Sequence, residues 1–198
     1  SDLPSLVWVP FGKLKESEIQ FDCIPFYKQY GIHYIKDFWT GITPEENKIH
    51  LSTTSLEYDY LLIATGAFPD EQSKKHLDHP FAHNIHQLSN AAKLTVPLLE
   101  SNGPISVVVD EGALCYGAAY EFVLNLWHAL KYSGKKPDLE INFITYESSL
   151  LAYRTQDSDI TRQLYKYLFQ MCDIKCFFNS ELKNFYEDGD RKSTRLNS

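Results

Sequence analysis

The sequence predicts an α/β chain: a small antiparallel β meander followed by a parallel βαβαβ unit. Three observations carry that prediction. Short apolar-rich runs at 32–42 and 48–52 are parted by turn residues, the pattern of neighbouring antiparallel strands. The run Tyr60-Leu61-Leu62-Ile63-Ala64 is apolar throughout, as a strand covered on both faces requires. From residue 105 onward, strand-like and helix-like segments alternate, which sets successive strands parallel with helices crossing between them.

Taken in order, residues 6–9 form an apolar patch and 13–18 a charged loop. A short helix follows, with Asp22 as its cap, Pro25 in its first turn and Gly31 at its end, each in the position its backbone chemistry favours. Strands are expected at 32–42, 48–52 and 58–64, with turns at 43–47 and 53–55. Residues 68–99 read as a linker broken by Pro69, Pro80 and Pro97. The second unit runs strand 105–109, Gly-bearing turn 110–117 and helix 118–132, with Phe122, Val123, Leu126 and Leu130 on one face and Gly134 as the stop. Strand 139–146, helix 159–171 and strand 174–178 complete it, and Ile160, Leu164, Leu168 and Met171 recur at helical spacing in that second helix. Such a βαβαβ order is that of a parallel, Rossmann-like dinucleotide-binding half.

Composition excludes several function classes. The 198 residues hold 19 Lys+Arg against 26 Asp+Glu, a net charge of -7. A nucleic-acid partner is not expected, because it needs a basic face or stripe. No window of about 18 apolar residues occurs, so no transmembrane helix is expected. Four cysteines, Cys23, Cys115, Cys172 and Cys176, match neither a disulfide scaffold nor a CxxC metal or redox motif. Cys172 and Cys176 straddle a helix end and a strand start and read as packing residues. His76, His79, His83 and His86 fall close together, but the segment lacks cysteine and reads as linker, so no metal is expected there. The tail 190–198, DRKSTRLNS, fits the translation of a common sequencing-library adapter and is set aside as an artefact. Without its three basic residues and one acidic residue the charge moves from -7 to -9.

Two segments carry chemistry. In Tyr58-Asp59-Tyr60-Leu61-Leu62-Ile63-Ala64-Thr65-Gly66-Ala67, an apolar strand ends in small residues that let backbone approach a bulky group. In Val107-Val108-Val109-Asp110-Glu111-Gly112-Ala113-Leu114-Cys115-Tyr116-Gly117, a strand–turn–helix keeps the scaffold of a phosphate-binding turn but alters its glycines. With Gly112 as the middle glycine of GxGxxG, Asp110 replaces the first and Cys115 the third. A carboxylate there opposes an incoming pyrophosphate, and a side chain at the third position obstructs close helix–strand packing. Nicotinamide nucleotide binding is therefore not expected. Glu147 stands at the strand end where a ribose-binding acid belongs, and with the glycine turn altered it reads as a solvated strand end. Cys115 precedes a helix, whose N-terminus favours a thiolate, while Asp110 and Glu111 oppose that shift. A lone cysteine so placed would by itself read as a packing residue.

The aromatic-Asp-aromatic strand ending in ATGA resembles the second fingerprint of flavin- and pyridine-nucleotide-dependent oxidoreductases. The segment Gly112-Ala113-Leu114-Cys115-Tyr116-Gly117-Ala118-Ala119-Tyr120-Glu121-Phe122 resembles the surroundings of one catalytic cysteine in the sulfide:quinone oxidoreductase family. That likeness extends in order through 30–35, the ATGA segment and 143–147. It implies an FAD-dependent enzyme, peripheral to a membrane on a side the sequence does not show. Such an enzyme oxidises sulfide through a cysteine pair and passes electrons through flavin to a quinone. Carried over, Cys115 is one catalytic cysteine, Thr65 and Gly66 belong to the flavin site, and Trp39 lies where the backbone approaches the adenine. His86 stands where many members have a further cysteine near the flavin, so flavin attachment through sulfur is not expected.

On this reading 1–70 is the C-terminal part of a split FAD-binding domain, 71–100 a linker, and 101–189 a degenerate NAD-type domain. The fold class is then α/β, a partial two-dinucleotide-binding-domain flavoprotein with a β meander. Without the first GxGxxG or the partner cysteine, the chain by itself is not expected to turn over. Two alternatives remain: an NAD(P)H-dependent flavin dehydrogenase of the same fold, and a non-enzymatic degenerate relative.

Overall fold

The computed structural model describes residues 4–66, 82–85, 88–111, 113, 116–152, 159–182 and 193–195. Two compact units emerge: Phe21–Asp70, and Ser1–Gln20 together with Glu71–Ser198. The first twenty residues group with the later residues and not with 21–70. Their apolar patch is the reason. It winds into a 3-10 helix, Pro4–Phe11, that buries Leu6, Val7 and Val9. Val7 joins the main core, and the Phe11 ring lies 5.1 Å from Phe122.

In the smaller unit, helix α1 (Ile24–Gln29) begins where Asp22 accepts the Ile24 N–H at 2.9 Å, and it ends at Gly31 with φ +66°. Strands β1 (Trp39–Thr43), β2 (Lys48–Leu51) and β3 (Ser55–Glu57) form an antiparallel meander in that order. The first expected strand is shorter than its apolar run, since residues 32–38 join no ladder. The third is displaced: β3 starts at the last residue of the supposed turn and ends at Glu57, and residues 58–66 lie outside any strand. Within this unit the apolar run has nothing to pair with, and a strand exists only where a neighbour takes its N–H and C=O groups. Tyr60 and Leu62 are accordingly 97% and 89% exposed. Asp37 holds the β2–β3 turn, accepting from the Thr53 N–H at 3.1 Å and from the Ser52 and Thr53 hydroxyls. Those hydroxyl bonds hold its carboxyl well below the usual carboxylate range.

The larger unit carries the parallel sheet. Part of the expected linker is helical: α2 (Leu88–Lys93) and α3 (Thr95–Glu100) bury Ala91, Leu94 and Leu98. Pro97 sits in the first turn of α3, where its missing N–H costs nothing. Strands β4 (Ile105–Val109), β5 (Ile141–Thr145) and β6 (Ile174–Phe177) pair parallel in the order β4-β5-β6. Every residue of β5 is buried, as expected for a central parallel strand. Helix α4 (Tyr116–Leu126) continues into a π-helical turn, Trp127–Tyr132, and Gly134 with φ +75° follows. Phe122, Val123, Leu126 and Leu130 face the core as their spacing predicts. Helix α5 (Ile160–Met171) starts with Asp159 capping the Thr161 N–H at 2.7 Å. Phe143 of β5 meets both Tyr120 of α4 (4.8 Å between centroids) and Phe169 of α5 (5.4 Å), so the two helices cover one face of β5. A short hairpin pairs β7 (Ser180–Leu182) with β8 (Ser193–Arg195), three residues of the tail set aside above.

One helix face differs from expectation. Ile160, Leu164 and Met171 of α5 point outward, while Arg162 and Phe169 face the core. Spacing alone gives the period of an apolar stripe and not its direction. Here two stripes compete, and the larger ring of Phe169 joins the aromatic cluster.

Candidate functional site

Thr65 and Gly66 end the exposed apolar run in the smaller unit, and both are solvent-facing. Gly66 has φ +76°, and a Cβ placed there would meet nothing within 4 Å. The backbone at this point is open to a flat partner, and only glycine adopts the conformation without strain. Trp39 begins β1, half its surface exposed, with its indole N–H donated to the Gly41 carbonyl at 2.7 Å. That bond spends the polar edge of the ring within its own strand and leaves apolar surface for contact. No residue from 20 to 66 is buried. Among its described residues the unit therefore has no core of its own, a condition too weak to hold a fold by itself. Among the described residues, an exposed apolar run thus ends in a left-handed glycine.

In the larger unit, Asp110 follows β4 at the turn. Its carboxylate accepts the Glu111 N–H at 2.9 Å, and its carbonyl accepts the Ala113 N–H at 3.3 Å. Backbone N–H groups of such a turn are what a dinucleotide pyrophosphate would otherwise use. The side chain thus supplies both a negative charge and a competing acceptor. Cys115, Gly112 and Leu114 lie outside the described residues, as do Ala67, His76, His79 and His86. His83 is exposed, and no group of three or more metal-ligating side chains occurs among the described residues.

Glu147 departs most from the sequence reading. It is 0% exposed rather than a solvated strand end. Its Oε2 accepts the Tyr120 hydroxyl at 2.7 Å and the Thr145 hydroxyl at 3.3 Å, and its Oε1 has no partner among the described residues. The Tyr120 hydroxyl in turn accepts the Leu151 N–H at 2.8 Å, fixing a residue in the left-handed region with φ +58°. Arg162, also buried, donates to the Leu150 carbonyl at 2.7 Å and to the Ser149 hydroxyl. Burial, and then the bond to Glu147, push the Tyr120 phenol far above its ordinary range. The segment after β5 is thereby tied inward. An acid in a ribose-binding role would instead have to reach solvent. The sequence signal for this was Tyr120 itself: a tyrosine on the apolar face of a helix needs a partner for its hydroxyl.

The other described cysteines do not form a redox pair. Cys172 is buried and Cys176 half-buried; burial raises both thiols, that of Cys176 to about 11. Both are consistent with packing residues, since reactive cysteines need a depressed pKa and access. Among the described residues no helix is long and apolar enough to cross a membrane.

No family model matches the chain. A curated sulfide-quinone reductase of Aquifex aeolicus is 28% identical over 189 residues, covering 93% of this chain and 44% of that protein. The crystal structure of the sulfide:quinone oxidoreductase of the same organism superposes with a TM-score of 0.80 at 25% identity, covering 97% of this chain and 47% of the other. NDH2 of Plasmodium falciparum, solved with NADH, superposes at 0.68 with 18% identity, covering 98% of this chain and 46% of that one. An NAD-dependent persulfide reductase of A. fulgidus does so at 0.65 with 16% identity, covering 96% and 35%. The last two establish the fold alone. This chain spans less than half the length of each.

Proposed function

We propose that this chain, which has the fold of the FAD/NAD(P) flavoprotein oxidoreductases and is similar to the sulfide:quinone oxidoreductases, is part of an enzyme that oxidises sulfide and reduces a quinone. Residues 21–70 belong to its FAD-binding domain, and 101–189 form a nucleotide-type domain that no longer serves NAD(P)H. The single observation carrying this reading is the likeness to sulfide-quinone reductase across 93% of the chain. Three features support it: the ATGA segment, the Asp110 turn and the inward Glu147.

In this proposal Thr65, Gly66 and Trp39 hold the flavin, with Gly66 giving close backbone approach and Trp39 an apolar surface. FAD held there would supply a two-electron acceptor for the sulfur centre and a donor to the quinone. Sulfide would attack a disulfide between Cys115 and a partner cysteine, breaking that S–S bond and leaving a persulfide on one cysteine and a thiolate on the other, whose electron pair is then passed to the flavin. A following helix start favours the Cys115 thiolate, and the neighbouring Asp110 and Glu111 oppose it. Asp110 and Tyr120–Glu147 keep a nicotinamide nucleotide out of the second domain. The sulfide and quinone are small-molecule substrates, and the parent enzyme sits at a membrane surface to reach the quinone. The test is a full-length protein assayed for sulfide-dependent reduction of a short-chain quinone. Turnover that requires both substrates and bound FAD supports the proposal. A flavin-loaded protein inert to sulfide would overturn it.

A further inference from the structure

Helix α5 presents an uncovered seam that has no part in the reaction proposed above. Ile160, Leu164, Tyr167 and Met171 are 81, 53, 61 and 55% exposed. They are spaced four, three and four residues apart, so they occupy successive d, a, d and a positions of a heptad. On the same wheel Arg162 and Phe169 both take position f, opposite the seam. These are the two residues of α5 that are buried, 4% and 2% exposed. The seam therefore points directly away from the core of its own unit.

Another helix can cover a seam of this spacing, its own side chains entering the holes between Ile160, Leu164, Tyr167 and Met171. The flanking e and g positions identify which one. They hold Thr161, Gln163, Leu168 and Gln170, all uncharged. Helices that select a different partner do so through complementary e and g charges. Here no charge selects a foreign helix, and none repels an identical one. The one exposed charge of this stretch, Lys166, sits at position c, off the interface. We infer that α5 is a self-association surface, pairing with α5 of a second copy about a two-fold axis. Antiparallel pairing sets Ile160 of one copy against Met171 of the other, and Leu164 against Tyr167. It also lays the two helix dipoles head to tail. The four side chains offer on the order of 500 Å² per copy, so a pair buries about 1,000 Å², the lower limit for a specific interface. An isologous contact of this kind closes on itself as a dimer.

The experiment is sedimentation of full-length, flavin-loaded protein across a concentration series, comparing wild type, Leu164→Glu, Tyr167→Arg and the off-seam control Lys166→Glu. The expected result is self-association that weakens at least about a hundredfold in both seam variants, as for central interface anchors, and persists in the control. Two seam variants guard against one that fails to fold. The inference is overturned if the wild type is monomeric or if the seam variants keep the wild-type mass. It is equally overturned if the variants lose only thermal stability, which would mean the same chain covers the seam. Loss only of binding to anionic lipid vesicles, with mass unchanged, would assign the face to a membrane instead. None of these outcomes depends on turnover, so failure here is separable from failure of the proposed reaction.

Discussion

Replacing Cys115 by serine in the full-length protein is expected to lower sulfide-dependent quinone reduction at least about a thousandfold, the usual cost of removing a nucleophile. Flavin content is expected to stay unchanged. The two readouts separate a chemical role from a packing one. Serine is close to cysteine in size, so a residue that merely fills space would tolerate it with turnover intact. A hydroxyl cannot replace a thiolate toward sulfur, because it is almost wholly protonated at neutral pH and does not form the sulfur–sulfur bond. Unchanged turnover with flavin bound would remove Cys115 from the mechanism.

The second large effect concerns stability. Tyr120→Phe takes one donor from the buried Glu147 carboxylate and one acceptor from the Leu151 N–H. Leaving a buried polar group without its hydrogen-bond partner costs about 1–3 kcal/mol. The loss is expected as faster hydrogen exchange in β5 and α4. The double variant Tyr120→Phe with Glu147→Leu is expected to recover much of it, since removing both partners of a buried polar pair costs less than removing one. The phenol also predicts a pH dependence. Its folded pKa is raised above the ordinary value of 10.0, so its contribution is complete below pH 10 and declines as pH rises above that value. Tyr120→Phe is expected to lack this alkaline decline. Equal alkaline loss in wild type and variant would contradict the role given to the pair.

How legible the fold was depended on whether an element carries its own partners. Strands β4, β5 and β6 pair with one another, and their apolar runs therefore marked them within a few residues. The core face of α4 was legible for the same reason: Phe122, Val123, Leu126 and Leu130 have one sheet to cover. The run 60–64 was legible as apolar but not as unpaired, because a strand is defined by neighbours that this unit does not contain. Helix α5 has apolar residues on two sides, so its period was clear and its direction was not. Glu147 was misread because a charged residue past a strand end is usually solvated. Only the tertiary contact with Tyr120, 27 residues away in sequence, turns it inward. Of the candidate site, the open glycine at Gly66 and the acidic turn at Asp110 could be read from residue type alone, since backbone freedom and charge are local properties.

The most direct test of the central claim is anaerobic stopped-flow mixing of full-length, flavin-loaded protein with sulfide and, separately, with NADH, following the flavin absorbance near 450 nm. The proposal predicts rapid bleaching by sulfide and none by NADH on the same timescale, because Asp110 and the inward Glu147 deny the nucleotide its site. Rapid bleaching by NADH with none by sulfide would contradict it.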